Sequence, residues 1–278
     1  MPESTANTAK LTKFYGDLSP TVDMVREALA IAGIDPDHAR ARDLYERDLD
    51  CHNLGMFRMV EFAADVAAEY GAPGADDLVL DVGCGIGGPS RYLADRFWCP
   101  VIGIDVVPVR TEVAEELADM TGMGDRVSYR VADATALDFD DASFAQAWML
   151  DVSIHIRDKR TLFREIARIL RPGGFLVMHE QTGPLPRAMA PVMREAPYIA
   201  PSLPQLIRYI EDAGMRMLTW RDTTSIAVDY FLGMRDLLLG NTEPPESNVK
   251  TGVPLLDGYL ETFANLNGRT GVLVARLT

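Results

Sequence analysis

The 278 residues carry 41 acidic against 27 basic side chains, a formal charge of −14, and this disfavours nucleic acid or an anionic membrane as partner, because basic patches supply most of that affinity. Cys51, Cys84 and Cys99 form no C-x-x-C pair, so neither a disulfide framework nor a zinc site is expected and a reducing cytoplasm fits best. The opening MPESTANTAK lacks the apolar core of a signal peptide and no window is apolar enough for a bilayer span, which points to a soluble protein with a small-molecule partner and no stable membrane insertion; a homo-oligomer is left open.

Up to about Ala72 the pattern is helical. Val22, Val25, Leu29 and Ile31, then Met59, Val60, Phe62 and Val66, recur near helical spacing, broken at Gly33, Pro36 and Asn53 to Gly55. Residues 1–72 are therefore expected to form an N-terminal helical extension or lid, and residues 73–278 a core.

Within the core, strands are expected near Leu78–Val82, Val101–Ile104, Val127–Val131, Phe144–Leu150 and Phe175–His179, with helices near Ser90–Phe97, Arg110–Thr121 and Lys159–Ile169. Such alternation implies a parallel, doubly wound sheet. Arg171 to Gly174 reads as a turn that stops a helix and leads into the fifth strand. A Pro- and Ala-rich stretch, Gly183 to Pro204, precedes a helix Gln205–Ala213 and a strand Arg216–Arg221. Apolar helices at Ala227–Leu239 and Leu255–Leu266 flank a polar turn from Asn241 to Thr251, and Gly271–Leu277 alternates as a final strand. Insertions at about 183–213 and 225–268, with the N-terminal helices, are placed to roof a pocket at the carboxyl ends of the strands, where open α/β sheets bind ligands.

The most informative segment runs from Leu78 through Asp81 to Gly83, Cys84, Gly85, Ile86, Gly87 and Gly88. A short apolar strand enters a glycine-rich turn and then a helix, so a ligand can lie against bare main chain. Gly83, Gly85 and Gly88 also satisfy the G-x-G-x-x-G spacing of dinucleotide-binding proteins. Asp81, two residues before the first glycine, suits a ligand with cationic groups better than a pyrophosphate, and Asp105, at the end of the next strand, stands where an acid accepts from ribose hydroxyls in either case.

VLDVGCGIGG, VIGID, VADATALDFDDASFAQAWML and ILRPGGFLVMHE, in that order between Val79 and Gln181, resemble the successive motifs of class I S-adenosylmethionine-dependent methyltransferases, most of all the bacterial small-molecule branch. The resemblance implies an α/β, Rossmann-like, doubly wound seven-stranded sheet with an antiparallel last strand, an N-terminal helical extension and a cap. It implies S-adenosylmethionine as cofactor, with Gly83, Gly85 and Gly87 along its methionine part, Asp81 orienting the amino-acid end, Asp105 on the ribose, Asp133 on the adenine amino group, and Ala134 and Leu150 in contact beside them.

His155 follows the fourth strand in the loop Met149 to His155, near where the methyl group should point, and a base of near-neutral pKa there suits deprotonation of a hydroxyl; a loop histidine bonded to a backbone carbonyl, or one that only shapes the acceptor pocket, is the competing reading. Asp151 is placed to orient His155 or bind a polar acceptor; no acidic partners accompany it as in magnesium-dependent catechol methyltransferases, and no metal is expected. Tyr15, in KFYGDLSP, resembles an N-terminal tyrosine that folds over the site in several small-molecule methyltransferases; a helix-anchoring aromatic is the competing reading. His52 and Asn53 are placed either above the cofactor or at a helix start, and His179 with Glu180 either at the pocket floor or capping a strand. Arg194, Tyr198, Tyr209 and Tyr230 fall in the roof.

The leading expectation is methyl transfer to a small, largely apolar acceptor in natural-product biosynthesis, with oxygen first. The alternatives are a prenyl, terpenoid or aromatic carbon, where tyrosine, phenylalanine and tryptophan faces stabilise a carbocation, or a nitrogen. Two other classes stay open: a NAD(P)-dependent oxidoreductase and a non-catalytic binding module.

Overall fold

The strands that read as buried apolar runs close into one seven-stranded sheet in the computed structural model, which describes residues 3–51, 54–184, 198–240, 257, 260, 263 and 268–278. They are β1 (Val79–Val82), β2 (Val101–Asp105), β3 (Val127–Val131), β4 (Phe144–Leu150), β5 (Leu170–Thr182), β6 (Met215–Asp222) and β7 (Arg269–Leu277), in the spatial order β3-β2-β1-β4-β5-β7-β6. β1 to β5 are parallel, and β7 runs antiparallel to both of its neighbours. β6 therefore points the same way as β5, and the expected antiparallel last strand is β7.

Helices cover both faces, which is why the inner strands are buried throughout and read as continuous rather than alternating apolar runs. The helices are α1 (Glu3–Asp17), α2 (Val22–Ile31), α3 (Ala41–Tyr45), α4 (Met56–Ala68), α5 (Gly88–Phe97), α6 (Pro108–Met120), α7 (Lys159–Ile169), α8 (Leu203–Asp212) and α9 (Thr224–Gly240), with 3-10 turns at Pro36–His38 and Ser153–His155. On one face Met59, Val60, Ala63 and Leu93 pack on Val79, Val101 and Trp148. On the other, Leu162, Phe163, Ile166, Leu206 and Ile210 pack on Leu80, Met149 and Leu176. A third cluster joins Val25, Leu29 and Leu44 to Ile86, Val113 and Leu117. Much of the N-terminal extension thus shares its core with the sheet: α4 is part of the helical layer, and α2 and α3 seat on α5 and α6.

The Arg171 to Gly174 turn is an irregularity inside β5, not a loop before it. α7 ends at Ile169 and pairing starts at Leu170; the register then shifts between Phe144–Leu170 and Gln146–Phe175. Pro172 has no N–H for the ladder, and Gly173 takes the left-handed φ of +79° that the kink requires. The strand also continues past His179 to Thr182.

His52, Asn53, Arg194 with residues 185–197 of the first expected insertion, the turn from Asn241 to Thr251 and most of the expected helix from Leu255 to Leu266 lie outside the described residues. Among the described residues no helix is long and apolar enough to cross a membrane.

Candidate active site

The strand order reverses between β1 and β4, and the crevice opened there holds a cavity of about 500 Å³. Asp81, Gly83, Gly85, Asp105, Asp133, Ala134 and Leu150 border it, as do Tyr15, Asp151 and His155.

On its β1–β2–β3 side the wall is largely main chain and carboxylate. Gly83 and Gly85 have φ of +70° and +56°, a region costly for residues with a Cβ. A Cβ on Gly83 would strike the Val152 side chain, whereas one on Gly85 would enter space bounded by Arg110 Nη1 at 3.6 Å. Gly85 is therefore the point where backbone is laid bare to the cavity. Gly87 does not border it: the place of its missing side chain is filled by the Tyr129 ring and the Arg91 guanidinium. That glycine is required by packing and by its φ of +83° at the start of α5.

Asp105 ends β2 with Oδ2 accepting from Gly85 N at 3.0 Å and Oδ1 from Val107 N at 2.9 Å. Burial raises its pKa, opposed by the Arg110 charge and these backbone donors. Each oxygen keeps a lone pair for a ligand hydroxyl. Asp133 Oδ1 accepts from Thr135 N at 2.8 Å and Thr135 Oγ1 at 2.7 Å, which fixes the carboxylate at the cavity wall between Ala132 and Ala134. Asp81 accepts from Ser90 Oγ at 2.6 Å, and burial pushes its pKa up to about 6.

The β4–β5 side is built from side chains distant in sequence. His155 closes the 3-10 turn that follows β4, and its Nε2 lies 2.6 Å from Tyr15 Oη, with the rings edge-to-face. Burial pushes the Tyr15 pKa up to about 12 although Arg110 opposes it. The phenol therefore keeps its proton near neutral pH, and which of the two groups donates across this contact is set by the imidazole tautomer. Arg110 lies over the Tyr15 ring at 4.5 Å and donates from Nε to Ser19 Oγ at 3.0 Å, while Ser19 Oγ donates to Tyr15 O at 2.7 Å. These contacts seat the end of α1 across the cavity.

Asp151 sits at a left-handed φ of +58°. Its Oδ2 accepts from Leu54 N at 2.7 Å, and Oδ1 lies 2.9 Å from His179 Nδ1. It does not orient His155 directly in these contacts; it ties the segment before α4 to the end of β4. His179 is fully buried behind Asp151, with Nε2 3.2 Å from Thr223 Oγ1, and neither it nor Glu180 borders the cavity. Tyr198 Oη donates to Gln181 Oε1 at 3.2 Å, Tyr209 lies against the Arg160 guanidinium, and Tyr230 packs on Phe231; none of the three borders the cavity.

Two further cavity residues carry no pattern that sequence reading could single out. Arg110 is one more arginine on a polar helix. Asp50 forms a fully buried ion pair with Arg91 at 2.8 Å, and its carbonyl packs where a Cβ on Gly88 would go. That pair locks the segment before α4 against the glycine turn. Among the described residues no group of three His, Cys, Asp or Glu side chains is placed to hold a metal ion.

A methyltransferase-domain family model matches residues 80–178. The 27-O-demethylrifamycin SV methyltransferase of Amycolatopsis mediterranei strain S699 is 30% identical over 192 residues, covering 64% of this chain and 71% of that protein. Methyltransferase GfsG of Streptomyces halstedii is 43% identical over 104 residues, 37% of either chain. The chain spans about a third of the length of several curated relatives it matches, GfsG among them. Geranyl diphosphate C-methyltransferase of Streptomyces coelicolor A3(2) shares the fold, with a TM-score of 0.66 and 19% identity over 80% of this chain and 82% of that one.

Proposed function

Because the chain belongs to the class I S-adenosylmethionine-dependent methyltransferases, we propose that it moves the methyl group of S-adenosylmethionine to an oxygen of a small, largely apolar acceptor in bacterial natural-product biosynthesis. Family membership separates the two readings that the glycine spacing left open. The cofactor's requirements fit the cavity: a bare backbone at Gly85, a fixed acid at Asp105 for ribose hydroxyls, and a run of carboxylates suited to a ligand with two cationic centres.

In this reading Gly83 and Gly85 flank the methionine part, Asp81 takes the ammonium, Asp105 the ribose, Asp133 the adenine amino group, and Ala134 and Leu150 pack beside them. A cationic ammonium against Asp81 favours its charged form and draws its raised pKa back down. The bound cofactor supplies an already activated methyl group as a sulfonium. What remains for the protein is positioning, exclusion of water and removal of one proton.

The observation that carries the oxygen assignment is the 2.6 Å contact between Tyr15 Oη and His155 Nε2 at the cavity's β4 end. A hydroxyl already sits on the imidazole there, so an acceptor hydroxyl that displaces or joins it meets a nitrogen able to take its proton. Residues up to Pro20 act as the lid, excluding water through Tyr15. The 27-O-demethylrifamycin relative's name gives an oxygen acceptor and a bacterial product, and supports this branch. The buried free thiols of Cys51, Cys84 and Cys99 fit a reducing cytoplasm.

The test is incubation with methyl-labelled S-adenosylmethionine and matched small phenols, alcohols, alkenes and amines. Label in methyl ethers, lost in His155→Ala, is expected. Label confined to carbon or nitrogen products contradicts the oxygen assignment.

A further inference from the structure

Lys159 is the first residue of α7, the positive end of the helix dipole, where a cation is disfavoured. It is also buried, with 4% of its surface exposed, a position costly for an ammonium unless its protons find acceptors. Three backbone carbonyls supply them: Lys159 Nζ donates to Ser153 O at 2.6 Å, Ile156 O at 2.7 Å and Ile199 O at 3.0 Å. Ser153 and Ile156 bracket His155 in the chain. Ile199 lies on the far side of the insertion begun at Gly183, and its own N–H donates to Ile154 O at 2.6 Å. Burial lowers the Lys159 pKa to about 8, opposed by the fully buried Glu180, whose own pKa burial and Asp151 push up to about 7.

We propose that Lys159 is the positioning residue for His155. With its ammonium it holds both ends of the Ser153–His155 turn so that Nε2 meets Tyr15 at the methyl end of the cavity. Through Ile199 it makes the returning end of the acceptor insertion part of the same unit. A shift of this turn would move the imidazole while leaving Asp105 and Asp133 in place, because these are held by Gly85, Val107 and Thr135. The proposal rests on the reading of His155 as the proton acceptor. It explains why a lysine stands where helix electrostatics and burial both disfavour one.

Imidazole nitrogens labelled with ¹⁵N test it without an acceptor, since the chain has four histidines and His155→Ala identifies the signal. Three proteins are compared: wild type, Tyr15→Phe and Lys159→Met. In Lys159→Met the His155 nitrogens should leave their wild-type shifts and approach those of Tyr15→Phe, with S-adenosylhomocysteine affinity kept within about twofold. A lysine with only a structural role would lower the unfolding temperature and leave the His155 signal where it is; that result overturns the proposal. Should Lys159→Met fail to fold, Lys159→Gln, which keeps an N–H donor but no charge, is read by the same criterion. Failure of wild type to bind S-adenosylhomocysteine would overturn the cofactor reading instead, and is scored separately.

Discussion

The two walls of the cavity are held by different means. The β1–β2–β3 wall is short-range: Gly83, Gly85, Asp105 and Asp133 fall within one run of the chain, and their geometry is fixed by backbone donors one or two residues away or one strand across. The β4–β5 wall is long-range: the Tyr15–His155 contact spans 140 positions, and Leu54 N reaches Asp151 across 97. The first wall can stay constant while the second is rebuilt, which suits an enzyme class in which the cofactor is fixed and the acceptor is not.

Removal of part of the second wall should have the largest effect. Deleting residues up to Pro20 takes away Tyr15 and Ser19 and opens the cavity to water, so turnover should be abolished while circular dichroism shows a folded sheet domain. Full activity in the truncated protein would assign the segment to packing alone. His155→Ala should lower kcat about 10²- to 10⁴-fold with cofactor affinity unchanged, and the wild-type rate should rise with pH as the imidazole becomes neutral. A flat single-turnover profile shared by mutant and wild type would remove the base and favour a carbon acceptor.

On the first wall the reverse split is expected. Asp105→Ala should weaken S-adenosylhomocysteine binding by about 1.5–3 kcal/mol, roughly 10- to 150-fold by calorimetric titration. Gly85→Val, strained at φ +56° and filling cavity space, should do at least as much. Unchanged affinity in both variants, with the fold intact, would sink the cofactor assignment.

A further effect concerns stability rather than binding or turnover. The Asp81 carboxyl titrates near 6 in the folded chain against 3.8 as its ordinary value, so the folded state binds the proton more tightly. Its burial therefore costs stability above about pH 6, and the cost fades as pH falls toward 4. Ligand-free Asp81→Asn should be more stable than wild type at pH 7.5 by roughly 2–3 kcal/mol, with the difference gone near pH 4. Urea melts across that range check it; a difference independent of pH contradicts it.

This contrast also explains what the sequence could and could not reveal. Strands such as Val79–Val82 and Phe144–Leu150 are buried on both faces and stand out as apolar runs, and a glycine turn advertises itself because few residues tolerate positive φ. The same features misled at two points. Gly87 matches the pattern of its neighbours yet serves Tyr129 rather than the cavity, and Pro172 with Gly173 looks like a chain reversal yet kinks a continuous strand. Arg110, Asp50, Leu54 and, through Ile199, Lys159 acquire their roles only when distant segments meet: a hydrogen bond to Ser19 across 91 positions, an ion pair across 41, an amide on Asp151 across 97 and a carbonyl on the ammonium across 40. No local spacing encodes such contacts.

A crystal structure of the complex with S-adenosylhomocysteine tests the central claim most directly. The ribose hydroxyls should lie on Asp105, the adenine beside Asp133 and Ala134, and the thioether sulfur should face the Tyr15–His155 pair across the space an acceptor would enter. A ligand seated elsewhere, or one whose sulfur faces away from His155, would contradict it.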